Sequence, residues 1–353
     1  FSPEVMPPGT PLTTAQVSNL TDTLLGSMGT AQLAAIDATR LATLGTAEFA
    51  AFGASQIGAL TTAQVAAMET EDLASLTDVQ LRGMSTAGIA ALSAGQLQAL
   101  ATNQISGLST GQLRAISAGN LAQMETADLA QLSQSQLASL TTAQVNALTT
   151  AQLANLTDTQ LGYLSTAQIA AIDSATLNEL STDQFRVFGT AQIAALTTAQ
   201  VAGLTTADLA ALTTDQLRAL GTEDLAALDA TQLQALGTAQ VAALRTQQVA
   251  AIETADLAQM DTADLAAMTT AQIRALTSAQ VDALTSTQLT SLGTAQLAAI
   301  GTAQISAIGT AELNALSSTQ FQALGTAQIA KLSTAQVNAL ETEDLAALST
   351  AQV

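Results

Sequence analysis

From Thr13 the chain repeats every eight residues, without one insertion or deletion. Thr61-Thr-Ala-Gln-Val-Ala-Ala-Met68 and Gly189-Thr-Ala-Gln-Ile-Ala-Ala-Leu196 are typical units, and 42 of them fill residues 13–348. Numbered from one to eight, every unit has Val, Leu, Ile or Phe at position 5 and Leu, Ile, Met or Phe at position 8. Surface connections ordinarily accept length changes at little cost. A register this strict therefore requires each unit to dock on its neighbours in one fixed way, as in a solenoid.

In a strand, positions 5 and 8 would face opposite sides. In a helix they are i and i+3 and share a face. The Ala, Leu and Gln content also favours helix, although the abundant Thr favours strand. One continuous helix fails, because eight residues at about 100° each rotate the apolar pair by ~80° per unit and leave no usable face. The helix must break once per octad. With position 1 as N-cap, position 4 (usually Gln, Asp or Glu) becomes N3 and completes a capping box. The preceding position 8 and the following position 5 form a hydrophobic staple. Leu60, Thr61, Gln64 and Val65 are one instance. Gly at position 1, as at Gly29, Gly45 and Gly189, is expected to adopt the left-handed conformation that ends the previous helix. The predicted fold is all-α: a solenoid of one- to two-turn helices, one per octad, with positions 5 and 8 facing the axis. Small Ala at positions 3 and 7 is expected to allow close approach. A β-solenoid is the alternative. Helices this short do not stand alone.

Two domains are predicted: an arm at residues 1–12 and the solenoid at 13–353, the last five residues being a partial unit. The arm holds all four prolines of the chain, which disfavour helix. Its apolar Phe1, Val5 and Met6 suit a self-assembly arm covering the end of a neighbouring coil. The break inside the last unit fits either a section of a longer protein or an end completed by another subunit.

Composition removes whole classes of function. There is no Cys or His, so there is no disulfide framework, thiolate or imidazole metal site, or Cys or His catalysis. The net charge of −20 opposes binding to nucleic acid. The apolar residues are evenly spaced, so no run reads as a membrane insertion. No nucleophile–base pair or phosphate-cradling glycine loop is legible. The chain reads as a non-enzyme without cofactor, catalytic residue or metal site.

Four sets of residues bear on function. Acidic side chains at position 4, such as Glu48, Asp72, Asp128, Asp224 and Asp264, read as N3 caps in place of Gln rather than as Ca2+ ligands. Phe49 with Phe52, and Phe185 with Phe188, read as locally larger core. Five of the seven arginines stand at position 6 (Arg82, Arg114, Arg186, Arg218, Arg274) and are expected to be solvated or paired with carboxylates. Thr fills position 2 in 29 of 42 units, which capping does not require. Such Thr, for instance Thr62, Thr142, Thr190, Thr198 and Thr302, could bond the adjacent coil, carry O-linked glycans, or form an ice-binding or adhesive surface.

The runs of Gly/Thr-Thr-Ala-Gln-Val/Ile-Ala-Ala-Leu from Thr13 to Val353 resemble octapeptide-repeat regions of large bacterial surface proteins, loosely labelled haem-utilisation or adhesion proteins. The resemblance carries no functional residues to transfer. It implies export and an extracellular or cell-surface stalk, fibre or coat. The expected function is structural: a filament, stalk or coat protein whose partner is itself, joined head-to-tail through open solenoid ends. An adhesin or ice-binding module using the repeat Thr is the alternative.

Overall fold

The structure, a computed structural model, describes residues 22–353. The proposed arm, with Phe1, Val5 and Met6, and the first octad lie outside them. The described residues form 41 α-helices of four to six residues each, from Asp22–Ser27 to Thr342–Ala347, and no strand. The fold is the predicted all-α solenoid, with one helix per octad. It falls into two compact units, one up to Thr176 and one from Leu177, built in the same way.

One octad shows how the sequence makes the element. Thr61 is extended (φ −71°, ψ 159°), and its hydroxyl accepts the Gln64 N–H at 3.3 Å while Gln64 Oε1 accepts the Thr61 N–H at 2.8 Å. That is the predicted capping box. The helix Thr62–Ala66 opens with Val65 N–H donating to the Thr61 carbonyl and tightens at its end, where Met68 N–H donates to the Val65 carbonyl. Position 8 is then extended, as at Leu76 (φ −65°, ψ 137°) and Phe52 (φ −71°, ψ 138°).

Each corner is therefore two successive extended residues, position 8 and the next position 1. This corrects the expectation of left-handed glycine. Gly29 (φ −68°, ψ 150°) and Gly189 (φ −68°, ψ 157°) have the same backbone as Thr61. No described glycine is left-handed. Glycine at position 1 keeps the N–H that the N3 side chain binds and merely lacks the acceptor that Thr or Ser provides.

Every position-5 and position-8 side chain from Leu33 to Leu324 is at most 7% exposed, so the predicted axial core is the core found. The two Phe pairs lie within it as edge-to-face contacts, with ring centroids 5.8 Å apart in each pair. The role expected of Ala at position 3 is not found. Ala63 and Ala143 are exposed, and close approach occurs between positions 6 and 7 instead. A Cβ built on Gly58 would lie 2.5 Å from the Gly83 carbonyl oxygen, and one on Gly83 would lie 2.5 Å from that of Ala54.

Within each unit, helices pack on the third helix along the chain. Ala54–Gly58 lies on Asp78–Gly83, and Thr222–Ala226 on Thr246–Ala251. Position-4 side chains reach the fourth octad back, as described next. A turn of the coil therefore takes between three and four octads in both units.

Candidate functional site: a glutamine ladder and exposed threonines

The position-4 glutamines organise the interior. Gln64 is 1% exposed, and its Nε2 donates to the carbonyls of Leu33 (2.9 Å) and Ile36 (2.7 Å), 31 and 28 residues earlier. Gln144 does the same to Leu113 and Ile116, Gln216 to Phe185 and Phe188, and Gln272 to Val241 and Leu244. The acceptors are a position 8 and, beside it, a position 5 or 6; Gln136 takes Ser106 with Leu108, and Gln232 takes Ala202 with Leu204. The position-8 carbonyl stands outside the helical ladder, in the extended corner, and the glutamine satisfies it. One side chain thus caps its own helix with Oε1 and ties two corners of an earlier coil with Nε2. Only a carboxamide offers an acceptor and two donors in that space. Sequence reasoning found the cap, which spans three residues, and missed the cross-coil half. The signal was available in the preference for Gln over Glu at a capping position where either would serve.

The exceptions at position 4 follow the same chemistry. Asn120 is shorter and reaches one carbonyl, that of Leu92, at 2.8 Å. Some acidic residues keep the local cap, as predicted: Glu48 accepts from Gly45 N–H at 3.0 Å and Asp224 from Gly221 N–H at 2.8 Å, whereas no capping box forms at Asp128 or Asp264. Having no donor, they reverse the cross-coil bond. Asp224 accepts from the Thr198 hydroxyl at 3.0 Å and Glu312 from Ser286 at 3.4 Å, each donor at position 2, 26 residues earlier. Burial raises the pKa of Asp128, which the Thr102 hydroxyl counters, and burial followed by the Asp261 charge raises that of Asp264. Among the described residues no group of three or more acidic side chains is placed to hold a metal ion.

A second ladder runs the other way along the surface. Arg82 Nε donates to the Gly107 carbonyl at 3.1 Å and Arg186 Nε to that of Ala211 at 3.0 Å, 25 residues onward. Gln98, Gln234 and Asn314 make the same bond to Gln123, Gln259 and Ala339. Arg82 and Arg186 are thus not simply solvated: position 6 lies against the position-7 carbonyl of the third octad onward, a free acceptor at a helix end. The Arg186–Asp183 pair, at 3.9 Å and exposed on both sides, adds little.

Thr62, Thr142, Thr190, Thr198 and Thr302 are all exposed at the first helical position. Of these, Thr198 is tied to a neighbouring coil through Asp224. No described helix is long and apolar enough to cross a membrane.

No curated protein matches the sequence. A family model described as the ALTTAQ repeat matches eleven stretches: 33–68, 65–102, 121–158, 169–206, 187–222, 203–238, 219–254, 249–286, 257–294, 290–326 and 305–342. That description names neither haem use nor adhesion. The matches cover well over half of the 353 residues, and the chain belongs to the ALTTAQ repeat family.

Proposed function

We propose that this repeat protein is a structural element of an extracellular bacterial filament, stalk or coat, extended head-to-tail through unlike solenoid ends. The observation that carries this reading is the direction of the ladder. Each octad with glutamine at position 4 donates its amide backward, to carbonyls of an earlier octad, and none of these bonds runs forward. Any run of octads therefore has a donating end and an accepting end. Open-ended contacts between unlike faces propagate as fibres. The net charge of −20 keeps such fibres hydrated and laterally apart. No catalytic role or cofactor belongs to this reading, and self is the principal partner.

Electron microscopy and sedimentation of the purified chain over a range of concentrations test it. Filaments that lengthen as the chain concentration rises support end-to-end growth. Monomers at every concentration overturn it. The exposure of Thr62, Thr142, Thr190 and Thr302 favours a second reading, an adhesive or ice-binding surface that can also bear glycans. Thermal hysteresis lost when those four are changed to Val would select it.

A further inference from the structure

The octad Glu69–Leu76 breaks the rule of the ladder. Its position 4 is Asp72, which is 3% exposed, and Asp72 Oδ2 is buried without a hydrogen-bond partner. The Glu69 side chain makes no capping bond, and the hydrogen bond of the Glu69 backbone to the Asp72 carboxylate leaves Oδ2 without a partner. Where Asp128 and Asp224 receive a hydroxyl from position 2 of an earlier octad, no hydroxyl reaches this oxygen. The surroundings are acidic. Glu69 and Glu71 flank Asp72 on its own octad, and Glu48 faces it from Thr46–Ala51, which packs on Thr70–Ser75. Ala94–Gln98, which also packs there, carries no charge, and the octad of Leu44 carries Asp37 and Arg40. By the register of the ladder, the carbonyl opposite position 72 is that of Leu44, 28 residues earlier.

We propose that this octad is a proton-operated clasp: one proton taken up by Asp72 turns its buried oxygen into a donor to the Leu44 carbonyl, closing an open rung of the ladder. The carboxylate leaves two acceptors facing each other, and the carboxylic acid supplies the missing hydrogen. The bond already made by Asn120 to Leu92 shows that a side chain of this length reaches the position-8 carbonyl.

Burial, then the charges of Glu69, Glu71 and Glu48, push the Asp72 carboxyl from 3.8 up to about 6, against a weaker opposing effect of the Glu69 backbone. Glu71, exposed and held by its own backbone and the Thr70 hydroxyl, is shifted down and does not compete for the proton. The folded chain binds the proton more tightly than the unfolded chain. Folding is thus tightened as pH falls from about 6 toward 3.8 and relaxed above that window.

Hydrogen exchange tests the clasp locally. Amides of residues 41–49 and 69–76 are compared at pH 7.5 and pH 5, corrected for intrinsic rates, with residues 141–148 around Gln144 as reference. Protection in the first two segments should rise about tenfold at pH 5 while the reference stays constant. Asp72→Asn, which carries the donor permanently, should show the higher protection at both pH values. Equal wild-type protection at the two pH values overturns the proposal. So does an Asp72→Asn protein that exchanges faster than wild type at pH 7.5.

Discussion

At the scale of single residues, a glutamine decides whether two coils are joined. Gln144 is 2% exposed and binds Leu113 at 2.8 Å and Ile116 at 2.7 Å. Gln144→Ala removes both bonds and the cap, leaving the Ile116 carbonyl buried and unpaired, and should cost about 1–3 kcal/mol. Gln144→Glu keeps the cap but sets a carboxylate against two carbonyl oxygens. It should cost about 2–4 kcal/mol at neutral pH. The pKa of that new carboxyl would be raised on folding, so its cost should shrink as pH falls through the folded value. Urea unfolding of both variants at pH 7.5 and pH 5 separates them: only the Glu variant recovers in acid. The capping half of this residue was legible because its partner stands three positions away. Its other half depends on which octads lie side by side, and a repeat with identical units gives no pairwise signal for that.

At the scale of the helix, the sequence pattern specified the element and its start but misplaced two details. The stop was read into glycine, whereas two extended residues with ordinary L-amino-acid geometry make it, and nothing in composition distinguishes those routes. Close approach is not found at position 3, and at position 7 the tightest approach of backbone to backbone belongs to the uncommon Gly83 with Gly58. There a Cβ would fall 2.5 Å from backbone oxygen that cannot swing away. Gly58→Ala should therefore destabilise by about 1–3 kcal/mol. Gly95→Ala, within Ala94–Gln98 and with nothing within 4 Å of its added Cβ, should stabilise by about 0.5–1 kcal/mol. Thermal melting of the two variants checks the opposite signs. Equal effects would mean that coil spacing does not depend on the glycine pair.

At the scale of the whole chain, octads within each unit are held by octads three and four away, so length changes act by register. Deleting residues 141–148 removes one whole unit and restores the pattern on both sides. Deleting residues 141–144 puts each later core residue out of phase with the coil it must meet. The eight-residue deletion should keep the wild-type circular dichroism spectrum with a modest loss of stability. The four-residue deletion should expose the chain around the junction to protease. Comparable behaviour of the two would contradict docking unit by unit. The octad was visible in the sequence at once, but the number of octads per turn was not. That number is set by the corner dihedrals and by the reach of the glutamine side chain, neither of which periodicity encodes.

The corner made from two unexceptional extended residues has a consequence for how such a chain changes over generations. Because no bend relies on a rare conformation, Thr, Ser, Gly, Asp, Glu, Ala and Arg all begin helices in this one molecule. A coding sequence that gains or loses a multiple of twenty-four nucleotides needs no compensating substitution at the seam. Slippage during replication then becomes a way of adjusting the reach of the molecule while its cross-section stays the same.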